Sequence, residues 1–313
     1  GIGSRVFMTL GSPRPSGGSC RPFCLPQRQP GKLLDEAAPS RYGSLIFPLY
    51  VADLRCPMAK LQVHQFPCLS DNYGYLIHDS ESNVTAAIDT PEIEPLNAAL
   101  KSQGWTLTHI FNTHHHFDHS GGNLALKAQW HCQIIGSKTD AERIPGIDLL
   151  MADGDSFDFG GHRVQVFDVS GHTLGHIAYY LPDDAALFSG DALFALGCGR
   201  LFEGTPAQMW HSLQKLLALP DNTLVYCAHE YTQANARFAL SVEPQNDQLQ
   251  QRAREIDALR AAGQPTVPSL LGIEKATNPF LRPMSPNLQD TIHMTDASLV
   301  DVFAKTRQLK DDF

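Results

Sequence analysis

Asn112-Thr113-His114-His115-His116-Phe117-Asp118-His119-Ser120-Gly121-Gly122 packs four histidines and one aspartate into six consecutive positions. The preceding Leu107-Thr108-His109-Ile110-Phe111 reads as a short buried strand. The following run, from Gly121-Gly122 through Leu124, Leu126, Ala128 and Trp130, reads as a helix. The cluster therefore falls on a strand-to-helix connection, where α/β structures gather functional groups. Neutral imidazole and carboxylate both bind zinc and related divalent ions. Alternate residues of an extended segment point the same way, so His114 and His116 can face one ion and His115 points away. As the chain turns into the helix, Asp118 and His119 can face a second ion. A surface loop with ordinary histidines is the plain alternative, and the density of imidazoles argues against it.

Outward from this stretch the pattern is β-rich. Strands are predicted at Leu61–Phe66, Tyr75–Ile77, Thr85–Asp89, Gln133–Gly136, Val164–Phe167, Ile177–Leu181, Ala185–Asp191 and Thr223–Cys227. Thr205-Pro206 opens a helix through Met209, Leu213, Leu216 and Leu217, with the threonine as cap and the proline in the first position. Three further candidate ligands, His172, Asp191 and His229, stand at or just beyond strand ends. Each alone would be a loop residue or a cap, but together with the cluster they point to one shared site. His176 begins a strand rather than ending one and is placed outside the ligand set. His64 and His109 lie on strand patterns as packed or surface residues. Beyond Tyr231 the strand signals stop. Residues 231–262 read as helical with a break at Pro244, 265–290 as Pro-rich and irregular, and Leu299, Val302 and Phe303 as a last helix.

The chain has 313 residues, a formal net charge of -9 with histidine neutral, 42% hydrophobic and 18% charged residues. This is a soluble globular composition. The acidic balance argues against nucleic acid as the partner, and no apolar run reaches a membrane-spanning length. The seven cysteines form no close C-x-x-C pair after Cys56, which fits free thiols in a reducing compartment. Residues 1–57 stand apart: rich in Pro, Gly, Ser and Arg, with no acid before Asp35. They are expected to be a disordered tail or sequence upstream of the true start at Met58, in preference to a targeting peptide.

The Thr113-His114-His115-His116-Phe117-Asp118-His119 form resembles the metallo-β-lactamase superfamily. Gly197-Cys198-Gly199-Arg200-Leu201-Phe202-Glu203-Gly204-Thr205, Tyr226-Cys227-Ala228-His229-Glu230-Tyr231-Thr232, Asn278-Pro279-Phe280-Leu281-Arg282 and the ending Lys310-Asp311-Asp312-Phe313 resemble glyoxalase II, the hydroxyacylglutathione hydrolases. The resemblance runs from about Met58 to the end. It implies an α/β fold, the αβ/βα four-layer sandwich over 58–230, with a C-terminal α-helical, substrate-binding domain over 231–313. It implies two divalent ions, with zinc first and iron or manganese as alternatives. His114, His116 and His172 would hold one ion, Asp118, His119 and His229 the other, and Asp191 would bridge them, with Asp118 and Asp191 catalytic. The implied reaction is hydrolysis of a glutathione thioester, chiefly S-D-lactoylglutathione, to D-lactate and glutathione by a hydroxide shared between the ions, as in methylglyoxal detoxification. Arg200, Phe202, Tyr231 and Arg282 would bind the glutathione. Some relatives have lysine at the place of Arg200 and tyrosine at that of Phe202; arginine keeps the charge, whereas phenylalanine cannot donate a hydrogen bond. The implied protein is a cytoplasmic monomer acting on a small molecule. A mononuclear-iron glutathione persulfide dioxygenase of the same superfamily and a non-catalytic metal-binding relative are the rivals.

Overall fold

Hydrophobic alternation along the strands sets up the layers of this computed structural model, which describes residues 61–313. The expectation for residues 1–57 lies outside the described residues. The first sheet is built from β1 (Gln62–Cys68), β2 (Asn72–Asp79), β3 (Val84–Ile88), β4 (His109–Phe111), β5 (Gln133–Ser137) and β6 (Leu149–Met151), in that spatial order. The pairs from β1 to β3 are antiparallel and those from β3 to β6 parallel. The parallel crossovers carry α1 (Ile93–Gln103), the short α2 (Phe117–Ser120) and α3 (Asn123–Trp130).

The second sheet contains β7 (Ser156–Phe159), β8 (His162–Asp168), β9 (Ile177–Leu181), β10 (Ala186–Gly190), β13 (Leu224–Cys227) and β14 (Ser269–Leu270), in the order β14-β13-β10-β9-β8-β7. A small hairpin, β11 (Leu193–Phe194) with β12 (Gly197–Cys198), follows β10. The remaining helices are α4 (Pro206–Leu217), α5 (Thr232–Val242), α6 (Asp247–Ala261), α7 (Leu271–Thr277), α8 (Pro286–Thr291) and α9 (Leu299–Asp312).

Successive strand residues point to opposite faces, and here each face meets a different layer. Tyr75, Ile77, Ala86, Ile88, Phe111 and Ile135 turn inward from the first sheet to meet Ile177, Tyr179, Leu181, Ala186 and Phe188 of the second. Their neighbours Leu76, Ala87, Ile110 and Ile134 turn outward, onto Leu96 and Leu100 of α1 and Leu126 of α3. On the far side, Ala178, Tyr180, Leu187 and Val225 meet Met209, Leu213 and Leu216 of α4 and Val302 and Phe303 of α9. The result is helix, sheet, sheet, helix. Thr205 caps α4 in a reciprocal pair with Gln208, and Pro206 opens it.

The C-terminal region differs from its sequence expectation between 265 and 290. That stretch holds β14, α7, α8 and a 3-10 turn at Pro279–Leu281. Its prolines start helical turns instead of excluding them: Pro279 follows the cap Asn278, and Pro286 follows the cap Ser285. β14 spans two residues, too short for any periodic signal, yet it completes the edge of the second sheet beside β13. None of the helices among the described residues is long and apolar enough to cross a membrane.

Candidate metal centre

Strand ends from both sheets meet on one edge of the sandwich. From the first sheet, β4 leads through Asn112 and Thr113 to His114 and His116, and α2 carries Asp118 and His119. From the second, the turn after β8 brings His172, the end of β10 brings Asp191, and the end of β13 brings His229. The aim of Asp191 depends on its neighbour. The β10–β13 register shifts between Phe188 and Gly190, a bulge that re-directs the chain. Gly190 takes φ of +52°, and a Cβ there would lie 2.7 Å from Thr113 Oγ1 and 2.8 Å from the His176 ring.

The donor atoms fall into two groups that share Asp191. In the first, His116 Nδ1 lies 3.0 Å from His114 Nε2 and 3.2 Å from His172 Nε2, and His172 Nε2 lies 3.4 Å from Asp191 Oδ2. In the second, His119 Nε2 is 3.4 Å from Asp118 Oδ2 and 3.4 Å from Asp191 Oδ1. His229 Nε2 is 3.6 Å from Asp118 Oδ2 and 3.4 Å from Asp191 Oδ1. A tetrahedral ion with bonds of about 2.0–2.1 Å has ligand edges of roughly 3.4 Å. The spacing therefore suits a small cation at each group.

Outer hydrogen bonds decide which nitrogens face inward. His172 Nδ1 donates to the Arg200 carbonyl at 2.9 Å, and a carbonyl can only accept. His119 Nδ1 donates to Asp89 at 2.8 Å and His229 Nδ1 to Asp71 at 2.9 Å. Thr113 Oγ1 donates to Asp89, so it accepts from His114 Nδ1 at 3.1 Å. Each of these rings thus turns an Nε2 lone pair inward, the arrangement that outer partners impose on metal-binding imidazoles. His119 Nε2 and Asp191 Oδ1 are buried and without a hydrogen-bond partner among the described residues. Orphaned acceptors of this kind are costly unless a cation satisfies them. The donor set therefore fits a metal ion.

Electrostatics separates the groups. Burial, aided by the surrounding imidazoles, holds His114 well below the ordinary histidine value, and burial with His172 brings His116 down to about 4. Burial also opposes charge on His119 and His229, but Asp191 and the acids behind each ring outweigh it and raise both. Asp191 is driven far below the carboxylate range: burial alone would raise it, and His119, His229 and His172 prevail.

Several positioning residues carried no motif signal. Asp89 directly follows β3 and accepts from Thr113 N, Thr113 Oγ1 and His119 Nδ1. Asp71, in the turn before β2, and Asn72, its first residue, hold His229 and Asp118; Asn72 Nδ2 donates to Asp118 Oδ2 at 3.1 Å. Asp89 and Asp71 lie 30 and 158 residues from the rings they hold, beyond the reach of any local pattern. His115 points away, to Asp140 at 2.9 Å. His176 stacks on His114, and its Nε2 accepts from Asp191 N, so it is engaged with backbone.

A cavity of about 480 Å³ opens over the donor groups. His116, Asp118, His172, Asp191 and His229 form its floor, and Phe194, Arg200, Phe202, Tyr231, Asn235, Arg307 and Lys310 line the rest. Arg200, Phe202 and Tyr231 are thus at the cavity. The Phe202 ring lies 5.1 Å from that of His172, and Tyr231 stacks on His229 at 4.7 Å. Arg282, expected at the glutathione, does not line the cavity. Its guanidinium forks onto Glu243, at 2.8 Å from Nη2 and 3.0 Å from Nε, because Glu243 is fully buried and needs a cation. The link from that segment to the site runs through Asn278, whose amide donates to the carbonyls of Phe194 and Gly197. Besides Arg200, the basic side chains at the cavity come from α9: Arg307 and Lys310, three apart and so on one helix face. Lys310 is lowered by burial and by Arg307, Arg200 and Arg237 close by.

Comparison with known proteins agrees with this architecture. The family model described as metallo-beta-lactamase superfamily matches residues 85–229, and that described as hydroxyacylglutathione hydrolase C-terminus matches 230–313. The hydroxyacylglutathione hydrolase of Maricaulis maris is 52% identical over 256 residues, 82% of this chain and 100% of that one. That of Rhizobium etli is 56% identical over 256 residues, with the same coverage. A solved structure, TTHA1623 in a di-iron-bound form, matches with a TM-score of 0.51 at 26% identity, over 70% of this chain and all of that one. A divalent-metal site follows from superfamily membership and the donor clusters together. On its residues, layers and relatives, this chain belongs to the hydroxyacylglutathione hydrolase family of the metallo-β-lactamase superfamily.

Proposed function

We propose that this chain hydrolyses S-(2-hydroxyacyl)glutathione thioesters, chiefly S-D-lactoylglutathione, to D-lactate and glutathione. The observation that carries the reading is a pair of inward-facing donor groups sharing Asp191, beneath a cavity rimmed by Arg200, Arg307 and Lys310. The relatives bear the name of this activity.

His114, His116 and His172 would hold one divalent ion and Asp118, His119 and His229 the other, and Asp191 would be shared between them. Zinc suits the mixed nitrogen and carboxylate set, and iron and manganese share that tolerance. The di-iron form of TTHA1623 supports a count of two. Bound there, the ions supply Lewis acidity toward the thioester carbonyl and a water ionised near neutral pH.

The chain's own residues do the rest. Asn72 holds one oxygen of Asp118, and the other can accept a hydrogen bond from the attacking water and so orient its lone pair. The outer bonds to Asp89, Asp71 and the Arg200 carbonyl keep three imidazoles from rotating. Glutathione carries carboxylates at both ends, and Arg200, Arg307 and Lys310 offer positive charge for them. Arg307 Nε is buried with no partner among the described residues, and its Nη1 is tied to the Cys198 carbonyl. Phe202 provides an apolar wall without a donor. A thiol of pKa about 8.5 departs as thiolate without a strong protein acid. The free, buried thiols of Cys68, Cys132, Cys198 and Cys227 accord with a cytoplasmic setting.

The test is hydrolysis of S-D-lactoylglutathione by the purified chain, with metal analysis on the same sample. Turnover with about two ions per chain supports the reading. A chain with both ions bound and no thioesterase activity refutes it.

A further inference from the structure

A charged bridge outside the cavity joins the histidine motif to the cavity's basic loop. Arg143 lies in the turn after β5 and Glu203 just ahead of α4, sixty positions apart, and neither lines the cavity. Arg143 Nη1 donates to Glu203 Oε1 at 2.5 Å and Nη2 to Oε2 at 3.1 Å, a two-point fork. The same guanidinium donates from Nε at 3.1 Å and from Nη2 at 2.5 Å to Asp140 Oδ1, a fully buried carboxylate. Asp140 Oδ2 accepts from His115 Nδ1 at 2.9 Å, and His115 Nε2 lies 3.3 Å from Arg143 Nη1. His115 stands between His114 and His116, so the bridge begins at the donor groups themselves.

Its other end is the cavity loop. Glu203 Oε2 also accepts from Leu174 N at 2.8 Å. Phe202 N donates to His172 O at 3.2 Å and Gly204 N to Gly171 O at 3.0 Å. Arg200 and Phe202, three positions and one position before Glu203, face the substrate space. Backbone bonds seat the loop on the turn carrying His172, and the fork sets its register against the segment carrying His114 and His116.

We propose that Arg143 and Glu203 are a positioning pair that holds the Arg200–Gly204 loop in register with the histidine motif, and so sets affinity for the glutathione part of the substrate. The proposal rests on the thioester reading above. A half-exposed ion pair adds little to stability, and this one is half-exposed at Arg143. A purely stabilising role would leave glutathione binding untouched.

The experiment compares the whole chain with Glu203→Ala, Glu203→Asp, Glu203→Gln, Arg143→Lys and the Arg143→Lys/Glu203→Gln double variant. Calorimetric titration with glutathione, metal content and thermal unfolding are measured beside kcat and KM. Glu203→Ala should weaken glutathione binding by about 5- to 20-fold, the scale of coupling within one network. KM should rise in step, with kcat within twofold and metal content unchanged. Glu203→Asp should recover part of the loss, and the double variant should bind no worse than the weaker single one. Glutathione affinity within twofold of the unmodified chain, or metal lost in parallel, or multiplying losses in the double variant, overturns the pair. Glutathione binding by an unmodified chain that does not cleave the thioester refutes the thioester reading and leaves the binding titrations to decide the pair. No glutathione binding by the unmodified chain refutes both.

Discussion

Asp191 turns one oxygen toward His172 and the other toward His119 and His229. On the proposed reading neither donor group is complete without it, so Asp191→Ala should empty both rather than one. We expect metal content and thioesterase activity to fall together, the latter by about 100-fold or more; elemental analysis beside kcat/KM checks this, and full occupancy with normal turnover would contradict a shared carboxylate. Asp71 makes a finer test. It touches His229 and lies outside the donor set, accepting from Nδ1 at 2.9 Å. Without it His229 loses the bond that fixes its tautomer, and Asp71→Ala should weaken metal affinity by about 10- to 100-fold, read by competition with a chelator. At this scale the sequence was most informative where ligand chemistry is compressed: imidazoles two positions apart need no fold to be seen together. His172, Asp191 and His229 needed only their common place near strand ends. Asp89, Asp71 and Asn72 were illegible because an acid or amide in a turn looks the same whether it caps backbone or steadies a ring across the molecule.

The turn–helix segments that close the cavity separate binding from support. Arg282 was expected at the glutathione because it follows a recognisable run, but proximity in sequence to a motif says nothing of where a long side chain ends. Buried Glu243 claims it. Arg282→Ala should therefore destabilise the fold by about 3–5 kcal/mol, the cost of stranding a buried carboxylate, with KM nearly unchanged. Arg307→Ala should raise KM with metals retained, because uniform binding is lost. Denaturant unfolding and steady-state kinetics on both variants distinguish the two, and the reverse pattern would return Arg282 to the site. The loop before α4 adds a pH test. Hydrogen bonding from Arg143 holds Glu203 down to about 2 from an ordinary 4.5. A lowered carboxyl contributes fully above its unfolded value and is lost as pH falls through the folded one. The affinity ratio between the unmodified chain and Glu203→Gln should thus stay constant from pH 7 to pH 5, in glutathione titrations across that interval. The 3-10 turn at Pro279–Leu281 and helix α8 were missed for a related reason: proline was taken as a breaker, whereas after Asn278 and Ser285 it opens a turn.

Across the whole molecule, the described residues belong to one continuous unit, from the first sheet to the last helix. Strand alternation revealed the β-rich half and helical spacing revealed the C-terminal half, but neither period says which faces meet. The packing answers that: Val302 and Phe303 of α9 are buried with Met209, Trp210 and Leu213 of α4, which in turn cover Leu187 and Val225 of the second sheet. The helix that brings Arg307 and Lys310 to the cavity is therefore also the outer wall of the catalytic sandwich. Substrate recognition and core burial share one element, so the C-terminal region is not a detachable module. Ending the chain at residue 298 would remove Phe303, whose burial alone is worth about 3–5 kcal/mol, together with Val302 and the side chains of Thr306 and Arg307 packed beside them. Set against a typical total stability of about 5–15 kcal/mol, that loss leaves little or nothing. The truncated chain should show no cooperative thermal transition by near-UV circular dichroism and no stoichiometric metal binding. A folded, metal-loaded product lacking only glutathione affinity would instead mean that α9 serves the cavity alone, and that the sandwich closes its outer face without it.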